Sequence, residues 1–180
     1  MKDTRIIMGM HITVEIVDLQ GTLITGEEIF SYFTAVDMQF STYKSDSEIM
    51  RINRGEILPY AYSEEIKEIF SLAERTKRET FGYFDIKKPS GIIDPSGIVK
   101  GWAIKNAAEI LLKKGYLNFY IDAGGDVQSY GLNDQGKEWN IGIRNPFNTE
   151  EIIKIVRVCG QGVATSVCYI CGQHIYYPYV

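Results

Sequence analysis

A lysine between two glycines at the entry to a helix is the residue here whose type and spacing could serve phosphate chemistry. The stretch Asp94-Pro95-Ser96-Gly97-Ile98-Val99-Lys100-Gly101 leads into a helix-like run that continues to Leu112. Pro95 fixes one φ, and Gly97 and Gly101 permit backbone geometry closed to other residues. A loop of this kind before a helix N-terminus offers free N–H groups and a positive dipole end, which suits a phosphate. Lys100 adds a full positive charge. An ordinary loop-to-helix connection has the same pattern, so the spacing leaves both readings open. At Asp122-Ala123-Gly124-Gly125-Asp126, two glycines allow the backbone to approach something closely. Ser41-Thr42-Tyr43 supplies three hydroxyls, and on spacing alone it is a polar helix exit. Asp85 sits between apolar neighbours, so it is either exposed at a strand end or held by a partner. His174 is either a reactive group or a histidine packed on a late strand.

The elements that must position these residues follow from periodicity. Ile12, Val14 and Ile16 alternate with Thr13 and Glu15, a half-buried strand, and Met8-Gly9-Met10 precedes it. From Glu27 to Phe40, the residues Ile29, Phe33, Val36 and Phe40 keep helical spacing. Ser47 caps a short helix with Arg51 near its end, and Ser63 caps a longer one with Glu64 and Glu65 in its first turn. Ile66, Ile69, Phe70 and Ala73 share one face of the latter. After Lys100, Ile104, Ala107, Ala108 and Leu111 form an apolar stripe, Lys113 and Lys114 close the last turn, and Gly115 follows as the C′ residue. Strand-like runs then cover Leu117–Ile121, Val127–Tyr130, Trp139–Ile143 and Ile152–Val158. Short β-like stretches follow Ser166, and the chain closes on His174-Ile175-Tyr176-Tyr177-Pro178. Helices and strands alternate irregularly, which predicts an α+β fold with mixed sheets.

Composition narrows the function classes. At 180 residues and 45% apolar content, one domain with a real core, or two closely packed halves, is expected. A net charge of −4 with no basic cluster argues against a nucleic-acid partner. No signal pattern opens the chain and no apolar run approaches a membrane span, so the sequence as given reads as cytoplasmic or as a mature form. Cys168 and Cys171 make a CxxC without a second pair; half-buried strand cysteines, Cys159 included, are favoured over a zinc or redox site.

Taken in order, the motifs resemble the FAD:protein FMN transferase (ApbE) family. The matching pieces are Met8-Gly9, Phe40-Ser41-Thr42-Tyr43 with Ser47-Glu48-Ile49 and Asn53, Gly82-Tyr83-Phe84-Asp85, Asp94 to Gly101, Gly124-Gly125-Asp126, Ala164-Thr165-Ser166, and His174-Ile175 with Pro178. The resemblance implies a single domain over residues 1–180 with mixed, largely antiparallel sheets and packed helices, T-fold-like in architecture. It implies a metal-dependent transferase that cleaves FAD with magnesium and attaches FMN through a phosphoester to a threonine of a target protein, releasing AMP. The target expected from the family is a flavinylated redox subunit, and relatives are often periplasmic or membrane-anchored. By the same likeness, Met8, Ser41, Thr42, Tyr43, Asp85, Lys100, Asp126 and Thr165 are flavin-nucleotide contacts. The Gly97 carbonyl is a metal ligand, and His174, with Lys100, acts near the transferred phosphate.

Departures from the family pattern are also visible. Met10 stands where the family has threonine, Val167 where it has glycine, and Tyr177 where it has an acid. Relatives continue into an Asp-x-x-x-Thr segment that supplies metal ligands, so this sequence reads as a short form with poor magnesium affinity. The alternative to a working transferase is a non-catalytic or vestigial FAD-binding protein.

Overall fold

The computed structural model describes residues 1–18 and 22–165. Its strands and helices run in the order β1 (Lys2–Ile7), β2 (Met10–Ile16), α1 (Thr22–Phe40), α2 (Glu48–Asn53), α3 (Glu64–Glu79), α4 (Ser96–Lys113), β3 (Phe119–Ala123), β4 (Asp126–Tyr130), β5 (Trp139–Asn145), β6 (Asn148–Val158) and β7 (Gly162–Val163). One sheet has the order β1-β2-β3-β4-β7, with every pairing antiparallel, and β5 and β6 form a separate hairpin. This is the expected α+β architecture.

The strand alternation has a direct consequence for packing. Ile12, Val14 and Ile16 on β2 and Phe119, Ile121 and Ala123 on β3 all point to one buried face, whereas Val127 on β4, paired with Asp122, is buried on the other. Helix α1 packs on β1 and β2, α4 packs on β3 and β4, and the two helices touch each other, so they lie side by side across that face. The expected α1 stripe of Ile29, Phe33, Val36 and Phe40 is buried in full, as is the α4 stripe of Ile104, Ala107, Ala108 and Leu111. On the opposite face, Trp139 of the hairpin stacks on Tyr120 of β3 at 5.4 Å between ring centroids.

The ends of the helices follow the expected chemistry. Ser47 Oγ accepts from Met50 N–H at 3.2 Å and Ser63 Oγ from Ile66 N–H at 3.2 Å. Gly115 takes φ +85° at the end of α4, and the Tyr116 N–H reaches back to the Leu111 carbonyl at 3.1 Å. Several boundaries differ from expectation. Strand β1 is an edge strand with charged and polar residues on both faces, so no apolar alternation marks it. Helix α1 starts at Thr22 rather than Glu27. Strand β3 starts two residues late, because Asp18 Oδ2 takes the Leu117 and Asn118 N–H groups at 2.9 and 2.8 Å. Cys159 also departs from expectation: it is exposed just past β6 and not half-buried in a strand.

Ile121, at the centre of β3 and fully buried, tests the two-layer core. Ile121→Ala should lower stability by about 2–5 kcal/mol in urea denaturation, because the strand cannot collapse into the space left between sheet and helices.

Candidate functional site

The turn before α4 is organised by Asp94. Its Oδ1 accepts the Ser96 N–H at 3.1 Å, and its Oδ2 lies 2.6 Å from Lys88 Nζ. Burial pushes this carboxyl up, but Lys88 and the bonds to Ser96 pull it further down, so it is held below its ordinary value. Helix α4 then begins at Ser96. Gly97 and Lys100 therefore lie inside the helix, in its first and second turns, and not in a loop ahead of it. The Asp94 carboxylate thus takes one N–H at the start of α4, while Pro95 at the N-cap makes no side-chain bond there.

Three of the matching pieces meet around this turn. The Asn53 side chain, at the end of α2, brackets Ile93: its Nδ2 donates to the Ile93 carbonyl at 2.9 Å and its Oδ1 accepts the Ile93 N–H at 2.8 Å. The Asp94 N–H donates to the Ile86 carbonyl at 2.7 Å, tying in the segment after Gly82. Phe84 from that segment lies over Gly97, where an added Cβ would come within 3.2 Å of the ring. Phe40 at the end of α1 meets Trp102 of α4 edge to face at 5.7 Å.

Ser41-Thr42-Tyr43 leaves α1 beside that contact. The buried Ser47 hydroxyl donates to the Ser41 carbonyl at 2.7 Å, and the Tyr43 N–H donates to Ser41 Oγ at 3.3 Å. The exit is thus a hydrogen-bonded turn, and it leaves the Tyr43 ring 98% exposed. Asp85 resolves as an acid held by partners. Lys77 Nζ sits 2.6 Å from its Oδ2 and the Lys87 N–H 2.8 Å from its Oδ1. Burial pushes it up, and the Lys77 contact with the backbone bond brings it below its ordinary value. Asp85 therefore joins the C-terminal turn of α3 to the segment that covers Gly97.

Lys100 points to the end of the sheet. Its Nζ is 2.8 Å from Asp126 Oδ2. The turn from β3 to β4 is Gly124-Gly125, with φ of +59° and +91°. A two-residue hairpin with both central residues at positive φ favours glycine there, and at Gly124 an added Cβ would also meet Met10 Sδ at 3.0 Å. The Gly124 N–H donates to the His11 carbonyl at 3.1 Å, and the Gly125 N–H to Asp122 Oδ1 at 2.8 Å. Thr165, beyond β7, closes the group: its N–H donates to Asp126 Oδ1 and its hydroxyl to the Gly125 carbonyl, both at 2.8 Å. Register places the β1–β2 turn at this same end, because Ile12 pairs with Ala123. That turn is Met8-Gly9, with φ of +57° and +71°.

The structure therefore brings Met8, Lys100, Asp126 and Thr165 to one end of the sheet, and it sets Gly97 under Phe84 near the start of α4. Asp85 makes its described bonds to Lys77 and Lys87 rather than in this group. His174 and the CxxC cysteines lie outside the described residues. Sequence reading missed Asp122 and Lys88 as the groups that hold the two turns. The acid directly before Ala123-Gly124-Gly125 was the available sign for the first, and nothing in the local pattern marks the second. Clefts of about 330 Å³ beside Arg5 and Phe30, and of about 580 Å³ beside Leu132 and Arg157, are lined by none of the motif residues. Among the described residues no three His, Cys, Asp or Glu side chains cluster to hold a metal. Both Asp126 oxygens are engaged, and the helical ladder uses one lone pair of the Gly97 carbonyl.

The family model described as ApbE matches residues 8–90 and 86–171. The chain belongs to the ApbE family. It is 25% identical to the FAD:protein FMN transferase of Salmonella typhimurium strain LT2 over 195 residues, covering 79% of this chain and 56% of that protein. It is 25% identical to the Haemophilus influenzae FAD:protein FMN transferase over 200 residues, covering 81% and 58%. It thus spans little more than half the length of these relatives. The fold matches Flavin Transferase ApbE from Vibrio cholerae with a TM-score of 0.82 at 22% identity, over 92% of this chain and 71% of that one. The ApbE protein of Thermotoga maritima matches with a TM-score of 0.78 at 20% identity, over 94% and 71%. No helix among the described residues is long and apolar enough to cross a membrane.

Asp94 generates a pH prediction. Its folded carboxyl is held below the ordinary value, so its contribution to stability is present above about pH 4 and is lost as acid protonates it. Asp94→Asn should destabilise the protein by roughly 1 kcal/mol at pH 7. Stability should then fall less steeply below about pH 4, measured by urea denaturation across pH.

Proposed function

We propose that this chain binds FAD and transfers its FMN moiety to a threonine hydroxyl of a target protein, with release of AMP. The observation that carries this reading is the placement of Lys100. Two glycine-bearing hairpin turns and a helix bring it to an end of the sheet where backbone groups come close to the surface, which suits a diphosphate. The names of the relatives support the substrate, and the order of the motifs supports the site.

In the proposed reaction the threonine Oγ attacks the FMN phosphorus, and its proton passes to a base. The bond from that phosphorus to the AMP oxygen breaks, and AMP leaves with the electron pair. Lys100 would offset charge on the bridging phosphates, and His174 is the proposed base. Met8, Ser41, Thr42 and Tyr43 are proposed to contact the nucleotide or the isoalloxazine ring, Tyr43 by stacking its exposed ring. A target that is a flavinylated redox subunit remains the proposal drawn from family likeness.

Magnesium enters as a dependence to be measured. The described residues do not fit a magnesium cage, since the Gly97 carbonyl is the single proposed ligand among them, and no step is routed through the metal.

The test combines binding and transfer. Calorimetry with FAD should show Lys100→Ala weaker by about 1.5–3 kcal/mol, the scale of a charge-assisted contact. An affinity equal to wild type would remove Lys100 from the site. In a second assay, mass spectrometry would follow FMN attachment to an acceptor peptide bearing a threonine while magnesium is varied, with AMP measured alongside. His174→Ala should bind FAD nearly as well as wild type and give neither product. Binding without transfer by the unaltered chain would replace the transferase reading with that of an FAD-binding protein.

A further inference from the structure

We propose that Asp126 is a positioning residue for Lys100, and not a contact to the nucleotide. It presents the lysine at the end of the sheet and offsets the charge that an incoming diphosphate meets. This rests on the flavin-nucleotide reading of the site given above.

A carboxylate only accepts hydrogen bonds, and each Asp126 oxygen already has a donor within the protein. Oδ2 is 2.8 Å from Lys100 Nζ, and Oδ1 takes the Thr165 N–H at 2.8 Å. The side chain is 16% exposed and that of Lys100 is 27% exposed, so the outward partner of the pair is the cation. The carboxylate cannot drift, because its backbone is fixed from three directions. It follows two glycines at positive φ, it pairs with Ala123 across the hairpin, and the residue before it is held by the Thr165 hydroxyl. Lys100 is anchored at its other end by a helix whose Val99 and Trp102 are buried in the core. A flexible four-carbon side chain is thereby held between two rigid elements.

Two opposed effects follow for an anion. Fixing the lysine lowers the entropy lost on binding, while a full negative charge in contact with the ammonium repels every phosphate oxygen that approaches it. The first involves one side chain's rotamers and the second acts on the whole diphosphate, so charge dominates affinity. Neutralising Asp126 should therefore tighten anion binding. A residue that accepted hydrogen bonds from the nucleotide would show the opposite sign, and a residue that merely supported the fold would not produce a gain.

The experiment measures FAD and inorganic pyrophosphate binding by calorimetry to the 180-residue chain, its Asp126→Asn variant and its Asp126→Glu variant. The asparagine keeps an acceptor for the Thr165 N–H. Asp126→Ser, a second neutral variant with a side-chain oxygen, covers the case in which the first does not fold. The expected result is roughly threefold to tenfold tighter binding of both probes in the neutral variants. That gain should shrink as salt rises, and the glutamate variant should fall back towards wild type. Weaker FAD binding in folded neutral variants would make Asp126 a nucleotide contact and overturn the proposal, as would unchanged affinity for both probes. If the unaltered chain binds pyrophosphate but not FAD, and the neutral variants still bind pyrophosphate more tightly, the positioning role stands and the flavin reading fails.

Discussion

Burial of α4 is the constraint on which the other elements depend. Val99, Trp102, Ala103, Ile104, Ala107, Ala108 and Leu111 are all buried, a wide arc that no single neighbour can cover. The sheet takes one side, α1 another, and α3 touches it as well. Burying such side chains is worth about 1.5–3 kcal/mol each for the larger ones, so the helix axis has little freedom to shift. Its first two turns then emerge where Phe84, Asn53 and the Gly124-Gly125 turn converge. Residues far apart in the chain meet there because each is fastened to a helix that cannot move.

The two hairpin turns answer a second constraint, that of register. Ile12 opposite Ala123 fixes which end of the sheet carries both turns, and a one-residue slip would turn the β2 isoleucines away from the helices. Burial on one face therefore determines that Met8-Gly9 and Gly124-Gly125 lie at the same end of the sheet as Lys100 and Asp126. Met10 lies against Gly124, so the turns also limit one another directly.

Much of this was legible in residue order. Apolar spacing marks the stripes of α1, α3 and α4, because each faces one core and carries the 3.6-residue period. Ser47, Ser63 and Gly115 announce helix ends through local hydrogen bonds that need no tertiary context. Strand β1 was not legible, since an edge strand has no buried face to impose alternation. Nor was the start of α4: Gly97 and Gly101 read as loop residues, yet core packing extends the helix through both, a case of tertiary contacts overriding propensity. At the site, the motif order named Lys100, Asp126 and Thr165 separately. That they touch one another depends on how β4, β7 and α4 meet, which no local pattern records.

The electrostatics of the site are arranged in neutral pairs. Asp94 lies against Lys88 at the helix N-terminus, and Asp126 lies against Lys100 one turn further on. The partial charge of the helix end, roughly half a unit, is met by the Asp94 carboxylate. With a chain charge of −4, little long-range attraction remains to steer a doubly charged pyrophosphate from solution, and at physiological salt what remains is screened beyond about 8 Å. Recognition must therefore be decided at contact distance. Under the proposed reading it falls to Lys100 and to the backbone of the glycine turns, which carry no Cβ.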